Sequence, residues 1–225
     1  MKKGKLIVIE GTDCSGKETQ SKILVDNLSK DGYLIKRFSF PMYDTPTGKI
    51  IAGPYLGKES YGEGWFEEKA DKVDPMVASL YFAADRKYNI SKINKLLDDG
   101  VNVIVDRYVY SNMAHQGGKI LDDEKRKELY NFIDTLEFKL LNLPKPDIAL
   151  FLYMPYEDSN SLRVNRKEAL DQHENDPNHL KHAEKAYKEL ANMYNWKTID
   201  CVNNHVVRSI EDISYDIYDY IKTII

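Results

Sequence analysis

At 225 residues, with 42% apolar and 30% charged residues, the chain is long enough to bury one substantial core, and no apolar run in it approaches the length of a membrane span. Its formal net charge of −4 argues against a nonspecific nucleic-acid binder, which needs a basic face, whereas a small anionic ligand needs only a local cationic cluster. Cys14 and Cys201 are too few for a disulfide framework, and Met1-Lys2-Lys3-Gly4 leads into the first apolar run without a signal peptide, so the expectation is a single domain, residues 1–225, in the reducing cytoplasm.

The run Leu6-Ile7-Val8-Ile9 reads as a buried strand, and Glu18 to Lys30 is compatible with a helix. Between them lies Gly11-Thr12-Asp13-Cys14-Ser15-Gly16-Lys17, which fits the spacing G-x-x-x-x-G-K. Glycines in that pattern let backbone N–H groups turn inward around phosphate oxygens, the helix start adds its positive dipole end, and Lys17 adds a full charge. Strand, glycine loop and helix together are the context the motif requires. The residue after the lysine, usually Ser or Thr, is Glu18, followed by Thr19. A carboxylate can hold Mg²⁺ directly or through its waters, so a metal is still expected. Cys14 lies inside the loop, but phosphate transfer needs no thiol and it reads as a tolerated small residue.

Tyr33 to Phe40 alternates as a second strand ended by Pro41, and a turn-rich segment leads to a short helix with Ile50, Ile51 and Leu56. Gly53 to Asp71 carries four glycines and the aromatics Tyr55, Tyr61, Trp65 and Phe66. It is either a flap over a ligand or a packed surface excursion, and composition does not choose. Asp74-Pro75 is a helix start, an acidic cap followed by proline, and the helix is expected to run to about Asp98 and stop at Gly100. On it Phe82 and Arg86 lie one turn apart, able to stack a base and hold its polar edge or phosphate, although each alone is more often core or solvated charge.

Val101 to Asp106 is a β-branched run with an acid at its carboxyl end, the end that faces the ligand crevice in an open parallel sheet. Asp106 is thereby placed to meet a Mg²⁺–phosphate group, and Arg107 can pair with a phosphate in bidentate geometry. Tyr108 to Gln116 carries Ser111, Asn112, His115 and Gln116, all able to read a base edge or a sugar. An amphipathic helix over Leu121 to Leu141, a strand at Ile148 to Leu152, a helix over Pro177 to Asn195, a strand over Trp196 to Cys201 and a closing helix over Ser209 to Ile224 complete the chain. Between the fourth strand and Pro177, the cationic Arg163-Val164-Asn165-Arg166-Lys167 and the acidic Asp171 to Asp176 are either a wet helix face or a lid over a transferring phosphate. Alternating strands and helices point to a three-layer α/β/α fold of P-loop NTPase type, with about five parallel strands and right-handed crossovers.

Taken together, these residues resemble the thymidylate kinase family of nucleoside monophosphate kinases over nearly the whole chain. The resemblance rests on Gly11 to Gln20, Phe40-Pro41 with Thr45 and Gly48, Phe82-Ala83-Ala84-Asp85-Arg86, Asp106-Arg107-Tyr108 with Ser111, Leu143-Pro144-Lys145-Pro146-Asp147, and the Trp196 to Asp200 strand. It implies transfer of the γ-phosphate of ATP to dTMP, a Mg²⁺ cofactor, a homodimer, and a lid over about residues 157–176. It further implies that the loop from Gly11 through Ser15 and Gly16 to Thr19 holds the ATP phosphates with Lys17, and that Asp13 accepts the deoxyribose 3′-hydroxyl. Phe82 would stack on thymine, Arg86 and Asn112 would read it, and Phe40, Pro41, Tyr43, Ser111 and His115 would complete the acceptor site. Arg107 would bind the acceptor phosphate, with Asp106 near the metal. Arg163, Arg166 and Lys167 resemble the cations of the lid-arginine type, and Glu174 a lid carboxylate near the sugar or metal. Tyr43 stands where many members carry a phosphate-gripping arginine, a charge that Lys49 or Arg37 could replace, and His115 where bacterial members often carry tyrosine. Both leave open a broader acceptor range, and Glu18 leaves open a noncatalytic nucleotide-binding protein.

Overall fold

The computed structural model describes residues 2–164 and 176–225. Its centre is a five-stranded parallel sheet made of β1 (Leu6–Gly11), β2 (Ile35–Ser39), β3 (Asn102–Asp106), β4 (Ile148–Tyr153) and β5 (Lys197–Asp200), in the order β2-β3-β1-β4-β5. β1 is the middle strand, in register with β3 through Leu6↔Val103 and with β4 through Ile7↔Ile148. All six of its residues are buried. Its unbroken apolar run follows from cover on both faces: Leu6 and Val8 join one core, Ile7 and Ile9 the other.

The first core packs the sheet against α3 (Pro75–Asp98), α4 (Val109–Gly117), α5 (Asp123–Asp134) and α7 (Pro177–Met193). The second packs it against α1 (Lys17–Lys30) and α8 (Ile210–Lys222). The start of α3 follows the sequence reading, with Asp74 accepting from the N–H groups of Met76 and Val77 at 2.9 and 3.0 Å and Pro75 in the first turn. Gly100, at φ +83, closes it.

Elsewhere the chain departs from the sequence reading. The helix expected over Leu121 to Leu141 is α5 followed by a π-helical turn, Thr135–Leu140. Trp196 is not in β5 but is buried in the first core. The short helix expected with Ile50, Ile51 and Leu56 is α2 (Pro46–Ile50) continued by a π-helical turn, Ile51–Tyr55, and the glycine- and aromatic-rich stretch beyond it holds a 3₁₀ turn, Glu59–Tyr61. There Ile51, Tyr55, Leu56, Ala70 and Val73 make a small third core with Ala78, against which Phe66, Tyr81 and Phe82 pack. The short α6 (Tyr156–Val164) follows β4, and an antiparallel pair, β6 (Val202–Asn203) and β7 (Val206–Val207), follows β5. The lid segment anticipated over 157–176 lies largely outside the described residues.

Candidate active site

The carboxyl edge of the sheet borders a cleft of about 1030 Å³. The glycine loop forms its floor. A Cβ at Gly11 would sit 2.6 Å from the Leu152 carbonyl oxygen and 2.6 Å from Ser15 Oγ, and Gly16 takes φ +76, so both glycines are required, one by space and one by conformation. Thr12 Oγ1 donates to the Met154 carbonyl at 2.7 Å and accepts from the Met154 N–H at 2.9 Å, clasping the loop to the end of β4. Lys17 starts α1 and folds back over the loop, its Nζ donating to the Thr12 carbonyl at 2.7 Å. Burial, and then the Arg107 guanidinium, push its ammonium down to about 8, against the opposing pull of Asp13, Asp106 and Glu10.

Beside the loop, β3 ends at Asp106 and Arg107 follows it. Asp106 Oδ2 accepts from Arg37 Nη2 at 2.7 Å, and Arg37 Nε donates to Ser21 Oγ at 2.6 Å, so β2, α1 and β3 are tied at the acid. Arg107 takes φ +63, a conformation that side chains other than glycine rarely adopt. Its Nη2 donates to Asp13 Oδ1 at 2.9 Å and its Nη1 lies 3.2 Å from His115 Nε2. A guanidinium only donates, so His115 Nε2 accepts and its proton resides on Nδ1, which meets His179 Nε2 at 3.4 Å. Burial pushes the imidazole of His115 down to about 3 and that of His179 down to about 4, so both are neutral. Burial alone would raise the Asp13 carboxyl, but the Arg107 guanidinium beside it holds it well below the usual carboxylate range.

The far wall is built by α3 and α4. Phe82 lies edge-on to Tyr55 with ring centres 5.7 Å apart. Arg86 is buried, donating from Nε and Nη2 to the two carboxylate oxygens of Glu137, the second at 2.6 Å, and from Nη1 to the Tyr108 carbonyl at 3.3 Å. Three of its five N–H groups are therefore engaged within the protein, which leaves two for the cleft it lines. Asn112 Nδ2 donates to the same Glu137 at 3.1 Å. Ser111 is turned to Glu10, whose Oε1 also accepts the Tyr108 N–H at 2.9 Å. Glu10 is wholly buried, and that burial raises its carboxyl.

Among the described residues, the cleft gathers Asp13, Cys14, Gly16, Lys17, Glu18 and Thr19 of the loop with Phe40, Pro41, Tyr43, Phe82, Arg86, Asp106, Arg107, Ser111, Asn112 and His115, residues spread over a hundred positions of chain. Arg163 falls in α6, and Arg166, Lys167 and Glu174 lie outside the described residues. Of the two cations considered as replacements at the Tyr43 position, Arg37 lines the cleft and Lys49 is exposed on α2. Lys58 is also there, its Nζ 4.7 Å from the centre of the Tyr43 ring. Lys58, Glu10 and Glu137 are absent from the sequence reading; Glu10, an acid ending the apolar run Leu6 to Ile9, and Glu137, an acid between Leu136 and Phe138, carry a local signal of burial, and Lys58 carries none.

Glu18 extends outward and pairs with Lys22 at 2.6 Å. Among the described residues no group of three or more His, Cys, Asp or Glu is arranged to hold a metal ion. Asp106 and Glu18 are oxygen donors at the rim of the loop, a set that suits a hard cation bringing its other ligands as waters and phosphate oxygens.

A family model described as thymidylate kinase matches residues 9–213. The thymidylate kinase of Plasmodium falciparum (isolate 3D7) is 32% identical over 216 residues, 96% of this chain and 89% of that protein. A probable thymidylate kinase of Thermococcus kodakarensis is 34% identical over 215 residues, 91% of this chain and 96% of that one. Among solved structures, that of thymidylate kinase from Candida albicans superposes with a TM-score of 0.73 at 29% identity, covering 98% of this chain and 92% of that one.

Proposed function

This chain belongs to the thymidylate kinase family, and on that premise we propose how its cleft moves a phosphoryl group from ATP to dTMP, giving ADP and dTDP. The observation that carries the reading is that one cleft is lined both by Lys17, Asp106 and Arg107, close enough to act on one another's charge, and by Phe82 with Arg86 and Asn112, which share Glu137. The first group suits phosphates and the second a planar ring.

Lys17 exchanges its contact with the Thr12 carbonyl for a β- or γ-phosphate oxygen, and the N–H groups of the loop from Gly11 to Thr19 surround the donor phosphates. Arg107 holds the acceptor phosphate in line, its guanidinium braced by Asp13 on one side and His115 on the other. Asp13 also takes the 3′-hydroxyl of the sugar. Phe82 stacks on thymine, with Phe40, Pro41 and Tyr43 along the remaining wall, and Arg37 or Lys58 supplies the charge that Tyr43 lacks. A Mg²⁺ ion arriving with ATP would be held by Asp106, and by Glu18 directly or through water, and would neutralise the phosphate oxygens. By the family's pattern, Arg163, Arg166 and Lys167 of the lid, about residues 157–176, would serve the transferring group and Glu174 the sugar or metal.

The protein works as one kinase domain in the cytoplasm, serving dTTP synthesis, and as a homodimer. The exposed Met76, Val77, Leu80 and Tyr88 along α3 support the dimer, which sedimentation would reveal. The function is tested by ADP release with ATP and Mg²⁺, comparing dTMP with dUMP, dCMP, dGMP and dAMP. Preferred turnover of dTMP is expected. Much faster turnover of another monophosphate would overturn the acceptor, and ATP binding without any acceptor-dependent turnover would overturn catalysis.

A further inference from the structure

A chain that turns from strand to helix within two residues needs its backbone held from outside, because the first N–H groups of a helix have no partner within it. Between β3 and α4 the turn is made by Arg107, at φ +63, and Tyr108, at φ −140, and Tyr108 caps α4 with no side-chain hydrogen bond of its own. The two peptide N–H groups that flank the Arg107 Cα are both held by consecutive residues of β1. The Arg107 N–H donates to the Ile9 carbonyl at 3.1 Å, and the Tyr108 N–H donates to Glu10 Oε1 at 2.9 Å. The same Oε1 accepts the Ser111 N–H, in the first turn of α4, at 3.2 Å.

The other carboxylate oxygen, Oε2, meets Ser111 Oγ at 2.5 Å, and Ser111 Oγ lies 2.9 Å from the Tyr187 hydroxyl of α7. Whichever way the hydrogen lies between Oε2 and Ser111 Oγ, Oε1 accepts both N–H groups. Wholly buried, Glu10 stands behind the cleft rather than in its lining. A residue other than glycine stays at positive φ only where its surroundings hold it there. Released, Arg107 would relax toward negative φ, and rotation about its N–Cα bond would carry the side chain away from Asp13 and His115.

We propose that Glu10 is the positioning residue for Arg107: it caps α4 from β1 and, together with the Ile9 carbonyl, fixes the backbone turn that aims the guanidinium into the cleft. What Glu10 contributes is an oxygen at the right reach, not a charge. Glutamine keeps that reach, setting its Oε1 against the two N–H groups and its Nε2 as a donor to Ser111 Oγ, which can then donate to Tyr187. Aspartate keeps the charge and draws the oxygen back by one methylene. The order of the two variants therefore separates positioning from electrostatics. The proposal rests on the dTMP kinase reading and deepens it by naming what sets the acceptor-phosphate arginine.

The test makes Glu10→Asp and Glu10→Gln on the full chain, each alone and combined with Arg107→Ala, and reads kcat and KM for dTMP together with the affinity for a nonhydrolysable ATP analogue. Glu10→Asp should lower kcat/KM for dTMP by about tenfold to a hundredfold, the loss that a misplaced binding group brings, with the ATP analogue bound within about twofold of the wild type. Glu10→Gln should stay within about threefold of the wild type. In the Arg107→Ala background Glu10→Asp should cost no more than about twofold further, because the group it positions is gone. An equal loss in both backgrounds would overturn the proposal and make Glu10 structural, and Glu10→Gln falling below Glu10→Asp would overturn it in favour of charge. Glu10→Asp at wild-type kcat/KM would overturn it too; all three leave the kinase reading intact. A wild-type chain that turns over no nucleoside monophosphate would overturn both.

Discussion

Glu137→Leu tests the electrostatics beneath the acceptor wall. Glu137 is wholly buried and the Arg86 side chain is 3% exposed, so the substitution leaves a guanidinium in the interior with no counter-charge and one hydrogen bond, to the Tyr108 carbonyl. Breaking a buried pair from one side costs about 3–5 kcal/mol, against about 1 kcal/mol for the lost Asn112 contact. In a chain of 225 residues each kcal/mol moves the melting temperature by about 2–4 °C, so the two losses together, about 4–6 kcal/mol, lower it by roughly 8–24 °C. The informative companion is Arg86→Leu combined with Glu137→Leu. With both charges gone the interior carries no uncompensated ion, and the double variant should be more stable than Glu137→Leu alone by about 2 kcal/mol or more. Urea unfolding of the four proteins closes the cycle. A Glu137→Leu loss below about 1 kcal/mol, or a double variant less stable than either single one, would refute the account of this wall as a charge pair buried for orientation.

Arg107→Ala should lower kcat/KM for dTMP by about two to three orders of magnitude while ATP affinity changes little, and steady-state kinetics that stayed near wild type would remove it from the acceptor phosphate. His115 and His179 protonate at about 3 and about 4 in the folded chain and near 6.5 when unfolded. The unfolded chain therefore binds more protons between those values: their contribution is whole above pH 6.5 and is lost as the pH falls through them, at up to about 1.4 kcal/mol per pH unit for each histidine. His115→Gln should flatten the fall in stability between pH 6.5 and 4 relative to the wild type, and parallel curves would refute this. Gly48→Ala would set a Cβ 1.9 Å from the Met42 carbonyl oxygen, which the backbone must relieve by moving. A loss of about 1–3 kcal/mol is expected by thermal unfolding, with a raised KM for dTMP because Met42 to Thr45 line the cleft.

What was legible in the sequence was local. Gly11 to Lys17, Asp74-Pro75 and Val101 to Asp106 each state their conformation within a few residues, through a glycine spacing, a cap or a β-branched run, and each folds accordingly. α4 had no such voice: it spans only Val109–Gly117, and its polar side, Ser111, Asn112, His115 and Gln116, is turned into the cleft rather than to solvent, so the usual polar-out pattern of a surface helix is missing. Partnerships between distant residues were silent too. Arg86 and Glu137 are 51 positions apart, and nothing near Arg86 says that an acid will claim two edges of its guanidinium before any base can. Arg37 likewise reads as an ordinary strand charge until β2 brings it 2.7 Å from Asp106.

The clasp between Thr12 and Met154 has a consequence for the order in which the molecule is made. The seven residues that spell the phosphate loop leave the ribosome well before their partners, since β1 finds its two neighbours only in β3 and β4, and the loop is tied down by a residue 142 positions later. Pairings so far apart in sequence are slow to close. During synthesis the nascent motif is a glycine-rich thread attached to an exposed apolar strand, a stretch suited to chaperone capture rather than to ligand. A fragment ending before Ile148 would contain every letter of the loop and none of its shape.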